Sequence, residues 1–325
     1  MPGSFWNRMV FTGLLLTAIC ATAQPYPRKP VSVIVPSSAG GVLDMMARAL
    51  SQRLSESLGQ PFVIETRPGA NGIMGAEFVA KSAPDGYALL FTTAGTISYN
   101  PFLYERLPYD AARAFAPIAM CCVMVQAVVV NPSLNVNSLR ELVGLAKSKP
   151  GLLAYGSNGG GSSSNIYMES LKRLAGIDVL HVPYKGSAPA VTDLVGGRVS
   201  MMVVTPSVIQ GHLRTGTLKA LAIGSQRRSS AFPDVPTAAE SGFPGWDAEA
   251  WLGMFAPAGT PGEIVSRLNT AMTRITGSEQ FGEQWLKRLG LESPQAGTAE
   301  NFAAFVRTDM QNSERLIRAT GIKLD

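Results

Sequence analysis

The chain has 325 residues, 46% of them apolar and only 16% charged, and its 28 Lys and Arg against 23 Asp and Glu give a formal charge of +5. Apolar content on this scale is enough for one large core or two ordinary ones, and the charge is too sparse for a long disordered stretch. A small positive balance with no basic stripe excludes nucleic acid as a partner.

In chain order, the first feature is an export signal over residues 1–23. Arg8 supplies the positive end, Met9 to Ile19 an apolar run, and Ala21-Thr22-Ala23 a cleavage site after Ala23. The run has about half of the ~20 residues a spanning helix needs. Cleavage removes Cys20 and leaves the neighbours Cys121 and Cys122. Adjacent cysteines strain a disulfide, so these read as two buried thiols.

Beyond the signal, strands and helices alternate. Val31 to Val35 is a continuous apolar run, as in a parallel strand buried on both faces. Leu43, Met46, Leu50, Leu54 and Leu58 recur at helical spacing, and Gly59 predicts the C-cap. Pro61 to Glu65 is a strand, Ile73 to Ala83 a helix, and Tyr87 to Thr92 a strand. Val123 to Val130 is the longest strand signal, and Ser138 with Glu141 predicts a capping box for the helix through Lys147. Leu153 to Gly156, Val179 to Pro183, Val199 to Val204, Leu218 to Gly224 and Glu249 to Ala256 are further strands, with a helix from the loop at Ser164 through Ala175. Helical patterns over Pro261 to Thr276, Ser278 to Leu289 and Thr298 to Thr320 close the chain. Repeated strand–helix units with buried strands predict an α/β fold with helices on both sheet faces, and the length predicts two such domains.

In sheets of this kind ligands bind beyond the carboxyl ends of the strands. Loop one, Pro36 to Gly41, lies between a buried strand and a helix. Its glycines admit a ligand close to the backbone, and the helix start offers unpaired N–H groups, so it is either an anion site or a tight turn whose N–H groups Asp44 satisfies. Loop two, Gly156 to Asn165, has the same context with more hydroxyls. Neither fits the G-x-x-x-x-G-K-[ST] or G-x-G-x-x-G nucleotide patterns. The two histidines form no metal-binding cluster, and there is no G-x-S-x-G elbow. No catalytic residue, cofactor or metal is predicted. His181, inside an apolar strand, reads as a satisfied core residue.

Seven collinear segments then point to a family: Val35-Pro36 with Ala39-Gly40-Gly41 and Asp44; Glu65 with Arg67-Pro68-Gly69-Ala70; Ala83 to Tyr87; Leu107 to Asp110; His181 to Gly186; Pro233 to Thr237; and Ala256 to Pro261. From about Tyr26 to Lys323 the chain resembles the tripartite tricarboxylate transporter substrate-binding proteins, also called Bug proteins. The resemblance implies a periplasmic-binding-protein-like fold of two α/β domains around a ligand cleft. Domain 1 would be residues 24–125 plus 226–325, and domain 2 residues 126–225. It implies a monomeric periplasmic protein, not an enzyme, that captures a small carboxylate for a two-subunit membrane permease or reports it to a sensor protein.

By position, the resemblance implies ligand contacts from Ala39, Gly40 and Asp44, from Thr93 and Thr96, from Ser157, Ser163 and Asn165, and from Tyr184 and Lys185. Ser37 and Ser38 join this set, although family members usually carry Phe-Pro there. Members also usually carry Thr at Leu43, and many an acid at Val204. The lost acid argues against a ligand with an amino group. A rival reading is an exported hydrolase that pairs a loop-two serine with His181.

Overall fold

A computed structural model describes residues 26–294 and 297–324; the export signal and its cleavage site lie outside them. Strand β1 (Val31–Val35) buries its apolar residues on both faces, as its apolar run predicts, and leaves Ser32 half-buried. Helix α1 (Val42–Leu58) follows and ends on Gly59, whose φ of 74° lets the chain turn out of the helix. Then come β2 (Phe62–Thr66), α2 (Ile73–Ala80), β3 (Ala88–Thr93), a π turn over Gly95–Tyr99 and α3 (Asn100–Leu103). Strand β4 (Phe115–Val125) completes the first pass.

The chain next builds a second sheet. Its elements are β5 (Ala127–Val130), α4 (Leu139–Ser148), β6 (Ala154–Ser157), α5 (Ser163–Ala175), β7 (Leu180–Pro183), α6 (Ser187–Val195), β8 (Met201–Val204), α7 (Gln210–Arg214) and β9 (Lys219–Ile223). It returns through β10 (Glu249–Pro257), α8 (Gly262–Thr276), the short α9 (Glu279–Phe281) and α10 (Ala299–Thr320).

The strand orders are β2-β1-β3-β10-β4 and β7-β6-β8-β5-β9. These are one topology used twice. In each sheet three parallel strands are followed by an antiparallel one that arrives from the other sheet, β10 in the first and β5 in the second. The sequence shows no corresponding repeat. The two crossings lie side by side: Gln126 N–H donates to Ala248 O (2.9 Å), Gly224 N–H to Gln126 O (2.9 Å) and Ala248 N–H to Gly224 O (2.8 Å).

Three apolar clusters hold the layers. One packs α1 and α8 on the first sheet (Val33, Leu50, Met254, Met272). Another packs α6 on the second (Val129, Leu194, Val204). The third covers the opposite face of the first sheet and continues past the crossings to Tyr155, Ile166 and Val203, through Tyr99, Tyr167 and Trp246. The halves therefore share apolar packing on one side of the junction.

Several sequence expectations shift. Val123 to Val130 is not one strand: it breaks at Gln126 into β4 and β5, in different sheets. The helix expected over Ser278 to Leu289 is α9, a π turn (Gly282–Leu286) and a 3-10 turn (Lys287–Leu289). Ser138 caps α4, but the Glu141 carboxylate reaches the N–H of Asn137 rather than of Ser138. Cys121 and Cys122 are free thiols inside β4, both fully buried.

Candidate functional site

Loops one and two occupy equivalent places, each at the carboxyl end of its sheet's central parallel strand, β1 or β6, and each opening a helix. In loop one, Ser38, Ala39, Gly40 and Gly41 are exposed and Ser37 is half-buried. Gly40 takes φ 89°, a conformation that favours glycine. Asp44, buried in the first turn of α1, accepts the Gly40 N–H through Oδ2 at 3.0 Å and pairs with Arg48, whose Nε lies 3.0 Å from Oδ2 and Nη2 3.0 Å from Oδ1. The hydrogen bond from Arg48 holds its carboxyl below the ordinary range. Asp44 thus stands charged behind the loop and fixes its backbone.

After β3, Thr93 is half-buried and Thr96 buried. The Thr92 hydroxyl donates to Thr96 Oγ1 at 2.8 Å, and Tyr109 OH donates to Thr96 O at 2.8 Å. A Cβ on Gly72 would lie 2.6 Å from Thr96 Oγ1, so that turn is packed tightly against the threonine.

Loop two folds over its own hydroxyls. Ser162 caps α5 by accepting from Asn165 N–H (3.4 Å) and donates to Gly159 O (2.7 Å). Ser164 Oγ accepts from Asn158 N–H (2.9 Å). Asn165 Oδ1 accepts from Gly161 N–H (2.9 Å), and its Nδ2 donates to Tyr155 OH (2.7 Å), which donates to Glu169 (2.6 Å). Ser157 is wholly buried under the loop, its Oγ 2.6 Å from His181 Nε2 and 3.2 Å from Gly159 N. Ser163 is half-buried at the start of α5. Tyr184 lies near Gly156, but its hydroxyl donates to Asp193 on α6 at 2.7 Å; Lys185 is exposed.

The candidate residues thus separate into two groups. Ser37, Ser38, Ala39, Gly40, Thr93, Ser163 and Lys185 keep surface at the loops, while Asp44, Thr96, Ser157, Asn165 and the Tyr184 hydroxyl are committed to protein partners. Two of the departures from the family pattern are absorbed by packing, and those at Ser37 and Ser38 stay at the surface of loop one. Leu43 joins the α1 core and Val204 the apolar cluster on α6, both buried.

Loop two also meets the end of α3 and the C-terminal end of the described chain. A Cβ on Gly161, at φ 70°, would come within 2.5 Å of Leu324 and 3.1 Å of Leu103, and Leu324 N–H donates to Leu103 O at 2.8 Å. At the junction, Tyr99 and Tyr167 join their hydroxyls at 2.6 Å, Tyr167 OH donates to Glu249 O, and Trp246 Nε1 donates to Tyr167 O at 3.0 Å. Tyr99, Tyr167, Glu249, Trp251 and Asp309 line a cavity of about 510 Å³ there. Burial raises the carboxyl pKa of Glu249 and of Asp309 above the ordinary range.

The family model described as the tripartite tricarboxylate transporter family receptor matches residues 46–322. The chain belongs to this receptor family. Protein BugT of Bordetella pertussis is 35% identical over 316 residues, covering 97% of this chain and 96% of BugT. An R. palustris protein solved with adipate superposes with a TM-score of 0.84 at 34% identity, over 92% of this chain and 99% of that one. MatC from Rhodopseudomonas palustris, solved with bound malate, superposes at 0.79 with 33% identity, over 90% of this chain and 100% of that one. The receptor is thus a solute-binding protein of the tripartite tricarboxylate transporter type, with the fold of periplasmic binding proteins, a family of receptors rather than enzymes. Among its described residues, no helix is long and apolar enough to cross a membrane, and no group of three or more His, Cys, Asp or Glu could hold a metal ion.

Reading the receptor's sequence missed the role of His181. Its ring stacks on Tyr155 (centroids 4.7 Å apart, planes 14° apart) while Nε2 meets Ser157. Burial lowers its pKa below the ordinary histidine value; Glu169 opposes this and Lys172 adds to it. The signal available was that His181 opens the His-Val-Pro-Tyr-Lys-Gly segment on the strand beside β6, in register with Tyr155. The contacts of Leu103 and Leu324 with Gly161 carried no such signal. The Ser157–His181 pair has the separation of a nucleophile and base, but Ser157 is sealed from solvent and its oxygen is held by Gly159.

Proposed function

We propose that this receptor captures a small carboxylate between loops one and two in the periplasm, and presents the closed form to a two-subunit membrane permease. The export signal, cleaved after Ala23, would deliver it there as a monomer. Residues 24–125 with 226–325 would form one moving body and residues 126–225 the other, pivoting at the crossings near Gln126 and Gly224. The observation that carries the reading is the matched pair of loops: two strand–loop–helix units of one topology, each ending in a helix N-terminus with small residues and with backbone held by buried side chains. Helix N-termini suit carboxylates, and charge-assisted hydrogen bonds are the strong ones. The bound adipate and malate of two relatives supply the ligand class. Of the candidates, Ser37, Ser38, Ala39, Gly40, Thr93, Ser163 and Lys185 would face the ligand, while Asp44, Ser157 and Asn165 would act through the backbone they hold, and Thr96 and Tyr184 through the side chains of Thr92 and Asp193 to which they are tied.

Closure follows from differential affinity: a ligand that touches both loops binds the closed form better and shifts the population towards it. The test combines a thermal shift with small-angle scattering, using adipate and malate on the mature protein. A ligand at a hundredfold over its Kd stabilises by about 2.7 kcal/mol, and scattering should report compaction. An unchanged radius of gyration at a saturating concentration that does raise Tm would refute closure. No shift with any di- or monocarboxylate would refute the ligand class.

A further inference from the structure

We infer that His181 is a positioning residue for loop two: through Ser157 it fixes the backbone at Gly159 and, through Ser162, the N-cap of α5. This rests on the reading of loop two as a seat for the ligand. The argument is an allocation of protons. Gly159 holds φ 128°, where its N–H and C=O both come within reach of Ser157 Oγ, at 3.2 and 3.1 Å. One hydroxyl proton cannot serve both Gly159 O and His181 Nε2. Gly159 O already has a donor in Ser162 Oγ at 2.7 Å. Gly159 O thus does not depend on Ser157, and we assign the Ser157 proton to His181 Nε2, its shortest contact at 2.6 Å, with its lone pairs left for the Gly159 N–H. The imidazole is then the neutral form with its proton on Nδ1.

The surroundings of the ring support that form. It is half-buried and stacked on Tyr155, with the ion pair Glu169–Lys172 (2.9 Å) on α5 as the charged neighbours that bear on it. Without an acceptor at Nε2, the Ser157 hydroxyl would turn to Gly159 O, which already accepts from Ser162, and its lone pairs would turn away from the Gly159 N–H. Ser162 is also the acceptor for Asn165 N–H, so the disturbance reaches the first turn of the helix that opens the site. A half-buried imidazole outside the loop thus decides which way two loop hydroxyls point.

The test uses the mature chain with His181→Phe, which keeps an aromatic ring over Tyr155 but has no acceptor, and His181→Gln, whose side-chain amide restores one. The first readout is amide hydrogen exchange by NMR and needs no ligand. In His181→Phe the Gly159 and Asn165 amides should exchange about tenfold faster than in the wild type, as loss of one hydrogen bond implies, and His181→Gln should recover most of that protection. Ser157→Ala, which leaves the ring in place, should raise Gly159 exchange alike and move the His181 Nε2 nitrogen resonance. The second readout is calorimetric Kd for adipate and malate. His181→Phe should weaken binding by about tenfold, the double variant with Ser157→Ala no further, and His181→Gln should rescue it. Equal Gly159 exchange in wild type and His181→Phe, or Phe and Gln variants that behave alike, would overturn the inference. If the wild type binds neither acid, the proposed ligand class is at fault, and the exchange data still decide the role of His181.

Discussion

Gly224→Ala should be among the most damaging single-methyl additions available in this chain. Gly224 is where the returning strand crosses beside the outgoing one. A Cβ built there lies 2.4 Å from Ala248 Cβ, 2.7 Å from Ala248 N and 3.0 Å from Ala248 Cα. An ordinary carbon–carbon contact needs about 1 Å more than the first of these. The obstacle is a short side chain and the backbone behind it, so no rotamer relieves it. The strands must separate, and they are joined there by Gly224 N–H to Gln126 O at 2.9 Å and Ala248 N–H to Gly224 O at 2.8 Å. Overpacking strain costs about 1–3 kcal/mol, and two weakened backbone hydrogen bonds add roughly 1 kcal/mol each. A total of about 4 kcal/mol lowers the folding constant by nearly a thousandfold, a large part of the ~5–15 kcal/mol that holds a typical domain.

The internal control is Gly144→Ala. Gly144 lies on the exposed side of α4, and a Cβ there meets nothing within 4 Å. Relief of a mid-helix glycine is worth about 0.5–1 kcal/mol, so the same substitution should raise stability. Urea unfolding followed by far-UV circular dichroism gives both signs in one series. If Gly224→Ala unfolds within 1 kcal/mol of wild type, roughly the resolution of such extrapolations, the crossing has slack and the steric argument is wrong.

Two further predictions concern charge. Asp309 accepts from Trp251 Nε1 at 2.9 Å, and burial lifts its pKa above the unfolded value. The native state therefore holds that proton to higher pH, and stability falls as pH rises from the ordinary carboxylate range through the raised native value. Asp309→Asn keeps an acceptor for Trp251, so it should raise Tm at pH 7.5 and lose that advantage towards pH 4; an offset independent of pH would refute the assignment. Asp44 has the opposite sign. Its lowered pKa stabilises above about pH 4, and the contribution is lost as pH falls through the native value. Asp44→Asn removes the pair with Arg48, which is 57% exposed and screened by solvent, so the loss should be small. Asp44→Ala also strands Gly40 N–H and should cost roughly 1 kcal/mol more at pH 7, read from urea midpoints; equal midpoints for Asn and Ala would show that Gly40 does not depend on Asp44.

Much of the fold was legible because its elements announce themselves locally. The leucines of α1 recur on one face and stop at a glycine, and Val31–Val35 is apolar except at Ser32 because helices cover both sides of β1. What failed was reading continuity as unity. Val123 to Val130 is apolar but for Gln126 because burial continues through the crossing, so overall hydrophobicity does not report that the run spans two sheets. The one polar residue in that run was the signal: Gln126 donates to Thr205 Oγ1 at 2.9 Å, a partner that only the folded junction supplies. Ser278 to Leu289 failed for the converse reason, since its helical spacing persists while Gly282 opens a π turn and Gly290, at φ 59°, ends the stretch.

The candidate site divides along the same line. That loops one and two are glycine- and hydroxyl-rich, and sit after buried strands, is a property of sequence. Which hydroxyls keep surface is not, because each commitment is made to a residue brought up by the fold: Ser157 to His181 from the neighbouring strand, Tyr184 to Asp193 from the following helix, Asn165 to Tyr155 beneath it. Counting polar side chains therefore overstates the groups left for a ligand and understates those that hold the loop. A receptor whose ligand contacts run largely through backbone can change its loop-one side chains, as at Ser37 and Ser38, and keep the same frame behind them. On the proposed reading, specificity in this chain would lie in the exposed residues of the two loops, and affinity in the buried ones.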